Sequence, residues 1–189
     1  MQTPLPEFEN PPLDEVVIGV QFEPLQQLHA AHQGLYWSRI RDRYPLTEDQ
    51  PPLLPIMELP TIGPAQPQVL LQMGGAPRCW FQDETKNHLI QLQADRFLRN
   101  WRQVQGTEPY PRYAKLIQEF KLEWELFCTF VQETGLGHAT VNQCELTYIN
   151  NILVPKPEEL GKVATVFTWA APPDPTGFLP LPETINWGA

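Results

Sequence analysis

Val16, Ile18, Val20 and Phe22 alternate with Gly19, Gln21 and Glu23 until Pro24 ends the run. A period of two with one apolar set predicts a half-buried strand. From Leu25 to about Arg43 the apolar positions spread to Leu28, Ala31 or His32, Leu35 and Ile40, a helical stripe that stops ahead of Pro45. Residues 45–68 are proline-rich and read as loop, with one short strand candidate at LLPIMEL. QVLLQMG, PRCWFQD and HLIQLQADRF then read as successive strands, turned by GGAP and DETKN, which makes an antiparallel meander. Between 110 and 134, Tyr113, Leu116, Ile117, Phe120, Trp124, Phe127 and Val131 trace one side of a long helix, and Gly135 supplies its stop. VNQCELTYIN follows as a strand, then a proline-bearing loop and a last strand candidate, VATVFTWA.

These elements predict an α+β fold, a mainly antiparallel sheet with two long helices packed on one face. The order suggests a strand–helix–strand–strand unit used twice, from VVIGVQFE and from LIQLQADRF, with no residue-level repeat behind it. Residues 1–13 read as an extended N-terminal arm, 14–170 as a single domain, and 171–189 as an irregular proline-rich tail.

If the helices take one face, the other is chemically unusual. Strand phase sends Gln21 and Glu23, then Gln91, Gln93 and Asp95, then Gln143, Glu145 and Thr147 away from the core, while Cys144, Leu146 and Tyr148 face it. A solvated antiparallel face is the plain expectation. Yet an ordinary exposed face mixes charges of both signs, whereas this one lacks lysine until the strand ends. Glutamine both donates and accepts, so the surface suits a polar neutral or cationic group, or a second copy of itself. Arg96, Asn100 and Arg102 border it.

The 189 residues carry a net charge of -9 and a pI near 4.9, which argues against nucleic acid as a partner. Arg96, Arg99 and Arg102, with Arg112 and Lys115 downstream, form the one basic cluster; it reads as solvated charge pairing with nearby carboxylates in preference to an anion site. Cys79, Cys128 and Cys144 show neither disulfide nor metal-ligand spacing and read as small core residues in a reducing cytosol. The N-terminus is acidic and proline-rich where a signal peptide is basic and then apolar, and no run approaches the roughly 18 apolar residues of a membrane span. A cytoplasmic protein with no membrane partner is expected.

Chemistry is sparsely marked. Glu23, Asp95 and Glu145 would serve acid–base work or hold a divalent cation if two of them converged. His29 and His32 are three apart, but nothing nearby completes a ligand set, so no metal site is assigned. Trp101, Arg102, Tyr110, Arg112 and Tyr113 offer stacking and guanidinium groups, with Trp101 and Tyr113 read as core. GxSxG, P-loop, Rossmann glycine and HExxH motifs are missing from the sequence, and no cofactor is indicated.

NPPLDEVVIGVQFEPL at 10–25, HLIQLQADRFLRNWR at 88–102 and VNQCELTYIN at 141–150 together resemble a sporadically distributed family of uncharacterised bacterial and archaeal proteins. The resemblance runs from about residue 7 to 155 and includes the long helix. Its motif positions are Glu15, Gln21, Glu23, Gln91, Gln93, Asp95, Arg96, Asn100, Trp101, Arg102, Asn142, Gln143, Glu145, Tyr148 and Asn150. The resemblance implies no known activity; the family's patchy distribution is similar to that of mobile or defence-associated accessory genes. Family members usually continue past FLPLPETINWGA with further strands and a helix, so a truncated or shorter form is expected here.

Three functions follow as expectations. The first is a non-enzymatic binding module engaging a protein or small polar ligand through Gln21, Glu23, Gln91, Gln93, Asp95, Arg96, Asn100, Arg102, Gln143 and Glu145. The second is a metal-dependent hydrolase or nucleotide-processing enzyme using Glu23, Asp95 or Glu145. The third is a homo-oligomer with the polar face as its interface.

Overall fold

The computed structural model describes residues 11–53, 77–106 and 108–151. In chain order these form β1 (Leu13–Phe22), α1 (Ala30–Ile40), β2 (Leu46–Gln50), β3 (Arg78–Gln82), β4 (His88–Gln93), β5 (Arg96–Arg102), α2 (Tyr113–Glu133) and β6 (Val141–Asn150). All six strands pair antiparallel in one sheet of order β2-β3-β4-β5-β1-β6. The expected α+β class is what the chain adopts.

One sheet face carries the aromatic core. Phe127 on α2 stacks on Phe97 of β5 at 5.1 Å and also meets Phe22, Tyr36, Trp124 and Phe130. Tyr36, projecting from α1, reaches Phe81, Phe97 and Phe130. Both helices therefore lie on the same side, held by large rings whose burial dominates core energetics. On β1 a Cβ at Gly19 would overlap Leu98 Cδ2 and lie 2.9 Å from the Phe97 carbonyl oxygen, so glycine is what lets β5 close against β1 there.

Several expectations need correction. α1 buries Gln33, Tyr36 and Ile40, whereas Leu35 is more than half exposed. The apolar stripe is displaced because Gln33 is fully satisfied inside: its amide donates to the carbonyls of Pro77 (2.9 Å) and Leu92 (3.2 Å), and its oxygen faces the Cys79 thiol at 3.3 Å. LTEDQ forms β2 within the stretch read as loop; as an exposed outer strand it has no apolar period to betray it. HLIQLQADRF is not one strand but a hairpin, since Gln93 pairs with Arg96 and the chain reverses at Ala94-Asp95. Asn100, Trp101 and Arg102 thus belong to β5.

The doubled unit survives only in part. β1–α1–β2–β3 is one copy, the β5–α2–β6 counterpart begins at Arg96, and VATVFTWA, the stretch expected to complete it, lies outside the described residues. QVLLQMG, LLPIMEL past Leu53 and the 171–189 tail also lie outside them. Trp101 is core as expected, but Tyr113 is exposed. Cys79 and Cys128 are half-buried and Cys144 is exposed. Strand phase does put Cys144, Leu146 and Tyr148 on the helix side, opposite Val20, Ile18 and Val16. Because α2 lies over β5 and β1, Leu146 stays 50% and Tyr148 42% exposed.

Candidate functional site: a polar sheet face that opens into a cleft

Directly paired residues of antiparallel strands share a face. Register alone therefore gathers eight expected residues on the side away from the helices. Gln21 pairs with Arg96 and Gln143, Gly19 with Leu98 and Glu145, and Glu15 with Arg102. Gln93 pairs with Arg96, Gln91 with Leu98, and Leu89 with Asn100. Two expected members fall off the face: Glu23 lies just past β1 and Asp95 sits in the β4–β5 turn. Sequence reasoning missed Glu48 on β2 and Arg78, Trp80 and Gln82 on β3, which extend the same surface.

The centre of the face is not solvated, although Gln21, Gln143 and Glu145 toward β6 are half-buried and Thr147 is exposed. Gln82, Gln91, Gln93, Arg96 and Asn100 are buried, Asn100 to 2% exposure. Burial of amides and guanidinium groups is costly unless they bond to one another, and they do. Gln91 is the hub: its amide donates to Asn100 Oδ1 at 2.8 Å, and its oxygen accepts from Arg78 (2.6 Å) and the Trp80 indole (3.0 Å). Asn100 in turn donates to Glu15. Burial, followed by the Arg96 charge, lowers the Arg78 pKa. The basic cluster is divided: β5 alternation places Arg96 and Arg102 on this face and Arg99 on the other. Arg96 and Arg99 are buried, whereas Arg112 and Lys115 are exposed as expected, with Arg99 and Lys115 both paired to carboxylates.

At the β4–β5 turn end the face closes on itself. Arg96 donates to Gln21, Gln21 reaches Asn142 at 3.4 Å, and Asn142 donates to Glu23 at 3.3 Å. Gln93 donates to Asp95 (2.6 Å) and to the Leu53 carbonyl (3.1 Å), and accepts from Leu53 N (2.9 Å). Glu145 takes the Thr147 hydroxyl at 3.4 Å. Each of Glu23, Asp95 and Glu145 thus has its own separate partner. Among the described residues no three His, Cys, Asp or Glu side chains gather as metal ligands would. The rings of His29 and His32 lie 6.2 Å apart at the start of α1, where His32 Nδ1 faces the His29 backbone N–H.

At the opposite end the face opens. A cleft of about 400 Å3 is lined by Asp14, Glu15, Glu48, Trp80, Gln82, Lys86, Arg102, Gln103, Val104 and Ile149. Arg102 donates to Gln82 Oε1 (2.9 Å) and to the Lys86 carbonyl (3.1 Å), and Gln82 donates on to Glu48 at 3.3 Å. The Trp80 ring lies 5.2 Å from the Arg102 guanidinium and 5.6 Å from that of Arg78. Of the ten site residues expected from sequence, only Arg102 lines this cleft; Asn100 and Gln91 form its backing.

A second polar cluster, also missed, lies under α2. Arg99, 4% exposed, pairs with Glu119 and contacts Glu123 through Nε at 3.0 Å, at an angle that makes no hydrogen bond. Its Nη2 meets His88 Nδ1 at 3.1 Å. Glu123, 2% exposed, accepts from the Tyr44 hydroxyl and from Arg43 at 3.3 Å. Burial pushes the Glu123 pKa up against the pull of Arg99, pushes the Tyr44 hydroxyl well up, and lowers His88. The available signal was Glu123 itself, a carboxylate at an apolar position of the Leu116–Phe120–Phe127 stripe.

No protein-family model, curated protein or solved structure matches the chain. Fold and site together define an α+β antiparallel-sheet protein whose polar face has a buried, hydrogen-bonded centre and a cleft at one end. No helix among the described residues is long and apolar enough to cross a membrane.

Proposed function

We propose that the protein is a non-enzymatic binding module that takes a small polar ligand in the cleft at the Arg102 end of the sheet. One observation carries this reading: among the described residues the polar network is internally satisfied over its buried centre, and at one end of it Trp80, Arg102 and Glu48 line a cleft. Side chains already held by Gln82 and Gln91 lose little freedom on binding, which is how affinity is gained from few contacts. A volume near 400 Å3 suits a metabolite-sized ligand.

The three blocks behind the family resemblance are β1, β4–β5 and β6, which are neighbours in the sheet order β4-β5-β1-β6. That adjacency supports reading the polar face as the feature such proteins would share. Free Cys79, Cys128 and Cys144 suit the reducing cytosol.

A thermal-shift screen of amino acids, nucleosides and sugars, run on the wild type, Trp80→Ala and Arg102→Gln, tests the function. A ligand that stabilises the wild type should lose at least about tenfold in affinity in either variant, the scale of one well-made polar or aromatic contact. A ligand bound equally well by all three proteins would move the site elsewhere.

A further inference from the structure

Resting on the reading of this cleft as a ligand site, we propose that its ligand is a zwitterion, a free amino acid or a short unblocked peptide bearing an apolar side chain. The cleft holds ionisable groups of both signs, Asp14, Glu15, Glu48, Lys86 and Arg102. None of the ion pairs among the described residues joins any two of them. That is most telling for Glu15 and Arg102, which stand directly opposite each other on neighbouring strands, about 5 Å apart at the backbone. Opposite charges at such a position ordinarily pair across the ladder.

They are kept apart by different partners. Glu15 is drawn to the buried Asn100 amide, whereas Arg102 is drawn to Gln82 and the Lys86 carbonyl. Only one Glu15 oxygen is used by Asn100, which leaves the other as an acceptor. Arg102 bonds through Nη2 alone, which leaves its remaining donors. The arrangement is an open clamp: a carboxylate that accepts from an ammonium stands beside a guanidinium, joined by Lys86, that donates to a carboxylate. Ile149 and Val104, both largely exposed, line the same cleft and supply an apolar wall for the rest of the ligand. A ligand with only one charge would satisfy half of the clamp.

The decisive experiment is a calorimetric titration of the full chain with L-phenylalanine, N-acetylphenylalanine, phenylalanine amide and N-acetylphenylalanine amide. The free amino acid should bind at least about tenfold more tightly than either singly blocked form, and the doubly blocked form most weakly. Glu15→Gln, which retains an acceptor for Asn100, should weaken the amino acid and the amide while sparing N-acetylphenylalanine. Arg102→Gln should weaken the amino acid and N-acetylphenylalanine while sparing the amide. Equal binding of the doubly blocked and free forms would overturn the zwitterion and leave the cleft as a ligand site. So would silence from all four compounds alongside a different ligand whose stabilisation disappears in Trp80→Ala. Silence from these and from the whole screen would overturn the ligand site itself. The four compounds on the wild type decide the matter even if a variant fails to fold.

Discussion

His88 shows how one hydrogen bond fixes a protonation state. Arg99 can only donate, so His88 Nδ1 must accept and the ring proton sits on Nε2. A second proton would land on Nδ1, facing a guanidinium. Burial and then the Arg99 charge depress the pKa below its ordinary 6.5; Lys115 adds to this, and Asp83 and Glu119 oppose it. The unfolded chain therefore takes up this proton first. The contribution to stability is present above pH 6.5 and is lost as pH falls through the lower folded-state value. Urea midpoints between pH 7.5 and 5 should show the wild type losing stability on acidification more steeply than His88→Gln, whose amide oxygen still accepts from Arg99. Parallel curves would mean that His88 does not titrate with folding.

Two of the ion pairs that α2 makes have the same chemistry in different surroundings, and at the scale of the element burial decides their worth. Arg39–Glu133, at 2.6 Å, is partly exposed at both partners; such pairs contribute about 0–1 kcal/mol. Arg99 and Glu123 are buried on facing elements. Removing one partner of a buried pair strands the other charge and costs about 3–5 kcal/mol. Arg99→Met should therefore lower the unfolding free energy several-fold more than Glu133→Gln in the same denaturant titration. Equal losses would show Glu123 to be adequately held by Tyr44 and Arg43 alone.

Across the whole molecule the sheet should not be uniformly stable. β5 and β1 sit inside the sheet with buried side chains on both faces, while β2 is an outer strand exposed along most of its length. Backbone amides of Val16–Val20 and Phe97–Trp101 should exchange with deuterium slowest, and those of Thr47–Asp49 much faster, because opening of β2 exposes little apolar area. Exchange in β2 as slow as in β5 would contradict this gradient.

Much of this protein was legible in its residues. Periods of two and of about 3.6 marked β1, α2 and β6 and led to an antiparallel sheet with helices on one side. Phase along three strands also put the right glutamines together, since alternation is a local property that survives any strand order. What the chain could not disclose locally was reversal, pairing and burial. The turn at Ala94-Asp95 carries no glycine or proline to mark it, and β2 exists only through its bonds to β3. Whether Asn100 and Arg99 meet water or protein depends on what packs over them, which no spacing encodes. The cleft belongs to that second kind of knowledge: Glu15, Glu48, Trp80 and Arg102 are distant in sequence, and only strand register brings them to one end of one face.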